Sequence, residues 1–268
     1  MLLTCVGAQA YSAAVETGKR YRDAPVVLRV LSYNIHHGEG MDGRVDLPRL
    51  ADIMKTSNAD LIALQEVDRG TARARGVDQL TELARLTRMH GVFGKAINYQ
   101  GGDYGVGVLS RWPILLVKNR PLPGSPDRER RTALTVEVET DHRRSRVQFT
   151  TTHLDDGRDV IDKVAQASYL AAALSRRDET VGILAGDLNA RPDAPAMKIL
   201  AKHWMDTVID PPPDPAARPR RRIDYVLVRP ATAWRTIEAR QVEEPVASDH
   251  HPVLVVLERV DGASRTAR

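Results

Sequence analysis

Val181-Gly182-Ile183-Leu184-Ala185-Gly186-Asp187-Leu188-Asn189 is an apolar run that breaks off in two polar side chains. A short apolar run with glycine and turn-forming residues at its end reads as a buried strand. A carboxylate at the end of such a strand is costly unless something pairs with it, so Asp187 and Asn189 mark a polar site at the edge of a sheet. The same arrangement recurs along the chain. Ser32-Tyr33-Asn34-Ile35, Leu64-Gln65-Glu66-Val67 and Thr151-Thr152-His153-Leu154 each close an apolar run, and Arg222-Ile223-Asp224-Tyr225 opens one. Ser248-Asp249-His250-His251-Pro252 stands just before the last. Six polar signatures at strand edges imply one site assembled from strand ends across the whole chain. Three or more carboxylates converging there require a cation to neutralise them.

The remaining periodicity fills in the elements between these signatures. Strands are predicted over 26–35, 60–67, 92–98, 104–110, 114–118, 132–140, 146–153, 181–188, 223–228, 232–241 and 253–257. Asp46-Leu47-Pro48 opens a helix, with Asp46 as cap, Pro48 in the first turn and Leu47, Leu50, Ile53 and Met54 inward. Further helices are expected over 78–90, stopped by Gly91, and over 160–174 and 194–201. Strand and helix alternate, give way to a strand-rich middle, then alternate again. Two sheets packed face to face with helices outside satisfy that order.

At 268 residues, with 42 % hydrophobic residues, the chain fits one domain. No stretch approaches the roughly 20 apolar residues of a membrane span. The formal charge of +4 mildly favours anionic partners, with solvated surface charge as the plainer reading. Cys5 is the single cysteine, which excludes an internal disulfide. The first ten residues form a short apolar run ending in Ala8-Gln9-Ala10, like a signal-peptide cleavage site. Export and a cytoplasmic protein with a disordered start are both open on that basis. The organisation expected is a leader over 1–25, a catalytic domain over 26–260 and a polar tail over 261–268. Pro211 to Arg222, rich in proline and arginine, is expected to be a loop.

These signatures, in this order, resemble the endonuclease/exonuclease/phosphatase superfamily of metal-dependent phosphoesterases, from about Val26 to Leu257. The resemblance implies a four-layer α/β/β/α sandwich of two mainly antiparallel sheets with flanking helices, its active site at one rim. It implies Glu66 as principal metal ligand, supported by Asn34 and Asp249, with Mg²⁺ as the cation and Mn²⁺ able to replace it. It implies catalytic roles for His153, Asp187, Asn189, Asp224 and His250, and places Arg131, a candidate for substrate binding, where many relatives have an arginine before the next strand. Two departures stand out. His36 occupies a position where DNA-repair members often have aspartate, and Asp103 one where they often have tyrosine, with Tyr104 a residue off.

The chemistry of each residue is then specific. Asp187 would orient or deprotonate the attacking water, although Asp-Leu-Asn alone also suits a turn. Asn189 would fix that water or a phosphate oxygen. His250 would stabilise transition-state charge as an imidazolium held by Asp224, while its neighbour His251 faces the other way. His153 would bind phosphate or assist the leaving group. Arg131 would neutralise phosphate, or belong to a self-paired Arg128-Glu129-Arg130-Arg131 turn. His36 and His37 receive no role beyond lining the site. The expected reaction is hydrolysis of a phosphodiester, such as a lipid head group or other small substrate, by a monomer. The alternative is a nuclease acting on DNA or RNA, using Arg218 to Arg222 for phosphates and Tyr99, Tyr104 and Trp112 for base stacking. An inactive binding module is disfavoured because every central group is present.

Overall fold

The computed structural model of the chain describes residues 26–140, 145–174, 181–208 and 222–260. The expected leader, the polar tail and all of the proline- and arginine-rich loop before Arg222 lie outside the described residues.

Twelve strands form two six-stranded sheets. The first runs β11 (Trp234–Gln241), β12 (Val253–Arg259), β1 (Val27–Asn34), β2 (Leu61–Arg69), β4 (Gly102–Ser110), β3 (His90–Tyr99). The second runs β5 (Ile114–Pro121), β6 (Thr132–Glu139), β7 (Arg146–His153), β8 (Gly182–Asp187), β10 (Asp224–Arg229), β9 (Met205–Asp206). Each sheet has one parallel pair at its centre, β1 with β2 and β7 with β8, and is otherwise antiparallel. Those two parallel pairs lay the C-terminal ends of four strands along one rim.

Three apolar layers hold the sandwich together. Val30, Ala63, Val136, Phe149, Ile183, Val226 and Val255 fill the space between the sheets. Helices α1 (Leu47–Thr56) and α2 (Gln79–Thr87) cover the first sheet through Leu50, Met54, Leu80 and Leu83. Helices α3 (Ile161–Leu174) and α4 (Pro195–Leu200) cover the second through Leu170, Met197 and Leu200. The four layers are those expected of the α/β/β/α sandwich. Among the described residues no helix is long and apolar enough to cross a membrane.

Local chemistry places the helix starts where the sequence predicts them. Asp46 accepts a hydrogen bond from the Arg49 amide at 2.9 Å, and Asp78 accepts one from Thr81 at 3.0 Å. The end of α2 is different from expectation. It stops at Thr87 with Arg88 in the left-handed region (φ 58°), and Gly91 already belongs to β3. Gly91 serves packing instead: a Cβ there would lie 3.0 Å from Ala84 Cβ and 3.2 Å from Leu109 Cδ2. The two-residue strand β9 and the 3-10 turn His36–Gly38 were not anticipated, being too short to show a period.

Candidate active site

Strand alternation builds the site. The residues facing between the sheets are apolar in mid-strand and turn polar at the rim, two positions at a time. Ile183 and Ala185 lead to Asp187, Val228 and Val226 lead back to Asp224, Phe149 leads through Thr151 to His153, and Val30 leads through Ser32 to Asn34. Strand register then sets these ends side by side. Asp187 pairs with Asp224 across β8 and β10 and with His153 across β7 and β8.

Glu66 reaches the rim by a β-bulge. Leu64 pairs with Gly107 and Val67 with Gly105, so Gln65 and Glu66 together oppose one residue of β4. Val67 stays on the helix side with Leu64, while Glu66, at φ 58°, is released from alternation. Its Oε1 accepts a hydrogen bond from Asn34 Nδ2 at 2.9 Å. Gly186 makes the second close approach, because a Cβ there would strike the backbone of Thr152 on β7.

The two sheets are stitched together at this rim. Asn34 Nδ2 also donates to Asp187 Oδ2 at 3.3 Å, and Gln65 Nε2 donates to Thr151 Oγ1 at 3.0 Å. His250 Nδ1 lies 2.9 Å from Asp224 Oδ2, and Ser248 Oγ donates to the Asn34 carbonyl at 2.8 Å. Asp187 Oδ2 is the hub, since His153 Nε2 lies 3.5 Å and His250 Nε2 3.7 Å from it. Its Oδ1 accepts from the Asn189 amide at 2.9 Å. Asn189 is itself held at φ 46° and donates through Nδ2 to the Leu154 carbonyl at 3.1 Å.

Burial and neighbouring charge set the protonation states apart. Burial, then the charge of Asp224, pushes Asp187 well above the usual carboxylate range. For His250 burial works downward, but the hydrogen bond and charge of Asp224 prevail and hold the imidazole up at about 9. His153, buried beside the Arg131 guanidinium, is pushed down to about 3 and stays neutral. Burial would raise Glu66, yet His37, His153 and Asn34 together hold it at about 2, so it remains anionic. A charged imidazole, His250, and a neutral one, His153, therefore face each other across Asp187 Oδ2.

Arg131 pairs within its own turn, the second of the two readings its sequence allows, and with His153. It is 6 % exposed, its Nη1 donates to His153 Nδ1 at 3.0 Å, and it pairs with Glu129 at 2.8 Å and Asp156 at 3.5 Å. Because a guanidinium only donates, His153 Nδ1 accepts from Arg131, while its Nε2 lies 3.5 Å from Asp187 Oδ2 and 3.0 Å from Asn189 Nδ2. Asp249 is exposed; its Oδ1 lies 3.4 Å from Ser248 Oγ, and its charge helps to hold the His250 imidazole up. His251 turns away, its Nδ1 accepting from the Glu244 amide at 3.1 Å. The aromatics expected to stack bases are otherwise engaged. Trp112 lies in the inter-sheet core, Tyr104 is buried, and Arg73 covers the Tyr99 ring at 4.6 Å. Arg222 is likewise committed, to Asp206 at 2.7 and 3.0 Å. His36 and His37, read from sequence only as lining the site, gather beside Glu66. Their signal was the pair of imidazoles two and three positions after Asn34.

Solved structures share this architecture. An endonuclease/exonuclease/phosphatase from Beutenbergia cavernae is 28% identical, with TM-score 0.74 over 90% of this chain and 74% of that one. The human Nocturnin catalytic domain, solved with bound sulfate, is 18% identical, with TM-score 0.68 over 88% and 97%. A mannosyl-6-phosphatase from Bacteroides thetaiotaomicron is 18% identical, with TM-score 0.65 over 87% and 100%. No curated protein sequence matches the chain. Residues 31–250 match the family model described as Endonuclease/Exonuclease/phosphatase family, a span that runs from β1 through His250, and the chain belongs to that family.

Proposed function

We propose that the chain is a divalent-metal-dependent phosphodiesterase that hydrolyses a small or lipid-head-group phosphodiester. Family membership supports a phosphoesterase-type hydrolase. The observation that carries the finer reading is the meeting of Asn34, His153 and His250 around Asp187 Oδ2, with Glu66 bonded to the same Asn34.

Glu66, anionic and held by Asn34, fits a cation: Mg²⁺ takes one or two protein carboxylates and keeps several waters. Asn34 and Asp249 are its supporting groups, and Mn²⁺ would substitute. A bound divalent ion would polarise a phosphoryl oxygen and offset its negative charge. The remaining work belongs to side chains. Asp187, with its raised proton affinity, aligns a water and accepts its proton. Asn189 fixes the Asp187 carboxylate through its amide and helps hold that water. The His250 imidazolium, kept charged by Asp224, stabilises charge growing on the phosphorus oxygens. Neutral His153 turns its Nε2 edge towards the phosphate, and Arg131 holds the ring in place from behind.

The commitment of Trp112, Tyr104 and Arg222 within the fold favours a small substrate over a polynucleotide. Purified protein with Mg²⁺ or Mn²⁺ should be offered bis-p-nitrophenyl phosphate, sphingomyelin, a phosphoinositide, a short RNA and plasmid DNA. Turnover of the small or lipid diesters is expected. Cleavage of the polynucleotides alone would overturn this reading in favour of a nuclease.

A further inference from the structure

His36, His37 and Glu66 sit side by side, all three in the left-handed backbone region at φ 46°, 44° and 58°. Non-glycine residues persist there only where surrounding structure imposes it, and such residues cluster at functional sites. One ligand atom from each of the three lies within 4.8 Å of the others.

Each ring has one nitrogen turned to Glu39. His36 Nδ1 lies 3.0 Å from the Glu39 carbonyl oxygen. An oxygen accepts, so Nδ1 carries the proton and Nε2 keeps its lone pair. His37 Nε2 lies 3.5 Å from Glu39 Oε2. Its Nδ1 is buried, has no hydrogen-bond partner among the described residues, and stands 4.0 Å from Glu66 Oε2. Metal-binding histidines are held as His36 is, with the far N–H given to a carbonyl or carboxylate and the near nitrogen left bare, and His37 turns its far nitrogen to the Glu39 carboxylate at longer range. A doubly protonated His37 bridging both carboxylates is the competing arrangement, and both separations exceed hydrogen-bond length. Two donors at about 2.1 Å from one ion stand roughly 3 to 4 Å apart, which accommodates the gap between His37 Nδ1 and Glu66 Oε2.

We propose that His36, His37 and Glu66 form a cation centre of two imidazole nitrogens and one carboxylate that selects a first-row transition ion such as Mn²⁺ or Co²⁺ over Mg²⁺. This rests on the metal-dependent reading of the site and specifies its ion. Imidazole suits transition ions, whereas Mg²⁺ prefers an all-oxygen shell.

The test uses chelator-stripped full-length protein titrated with Mn²⁺, Co²⁺ and Mg²⁺ by calorimetry, with visible absorption of the Co²⁺ adduct. Mn²⁺ and Co²⁺ should bind at least tenfold more tightly than Mg²⁺. His37→Asn should weaken Co²⁺ at least tenfold, change its absorption bands, and leave Mg²⁺ within threefold. Pulsed electron paramagnetic resonance of Mn²⁺ on the unaltered protein should show coupling to imidazole ¹⁴N, which needs no variant to fold. Equal affinities for Mg²⁺ and Mn²⁺, or absence of nitrogen coupling, would overturn the proposal. If diester hydrolysis still required a divalent ion in that case, only the ion assignment would fall. Activity indifferent to chelator would remove the metal-dependent reading itself.

Discussion

Asp224→Asn tests the electrostatic logic of the rim with the least steric change. The amide keeps the shape of the carboxylate but removes the negative charge 2.9 Å from His250 Nδ1. That charge overrides burial and lifts the imidazole from 6.5 to about 9. The difference, 9 − 6.5 = 2.5 pH units, corresponds to about 3 kcal/mol between the charged and neutral forms. If the variant imidazole returned only to its ordinary value, the protonated fraction at pH 8 would fall from about nine-tenths to about one-thirtieth. Where the imidazolium is the active form, kcat/KM for bis-p-nitrophenyl phosphate at pH 8 should therefore drop about thirtyfold. The alkaline limb of the pH profile should move from near 9 to 7 or below. Because the folded-state value is raised, the linked stability is fully present below about 6.5 and lost as pH rises through about 9. The melting difference between wild type and variant should accordingly shrink above pH 9. NMR titration of the His250 ring gives an independent reading. An alkaline limb or ring titration unmoved by Asp224→Asn would refute the reasoning.

Asp187→Asn should lower kcat by about a hundred- to ten-thousandfold with little loss of melting temperature, since it removes a buried charge facing Asp224. Near-normal turnover would dismiss Asp187 as base. EDTA should abolish hydrolysis and added Mg²⁺ or Mn²⁺ should restore it, measured on the same diester. Arg131→Gln should destabilise the fold by about 3 kcal/mol in denaturant unfolding, because Glu129 and the buried His153 lose their partner. It should also lower kcat more than it raises KM. A pure KM effect would return Arg131 to phosphate binding.

The frame of this site was legible because a buried strand has a period of two and its polar end breaks that period. Asn34, His153, Asp187 and Asp224 each continue the inter-sheet face of their strand, and the capping aspartates Asp46 and Asp78 act as read. What stayed hidden depended on contacts between distant segments. Arg131 stayed divided between phosphate binding and a self-paired turn because nothing in Arg128-Glu129-Arg130-Arg131 tells which guanidinium is buried against His153. Trp112 looked available for stacking, but the turn after β4 folds it into the core. Glu66 required a bulge whose opposing residue lies 40 positions downstream. His36 and His37 lacked meaning until Glu66 and Glu39 were placed on either side of them.

Anomalous diffraction from crystals soaked in Mn²⁺ examines the division of labour on which the mechanism rests. One peak within bonding distance of Glu66, with Asp187, Asp224 and His250 left free to handle protons, is the expected outcome. A peak found only among Asp187, Asp224 and His250, whose ligand atoms also lie within 4.8 Å of one another, would contradict it.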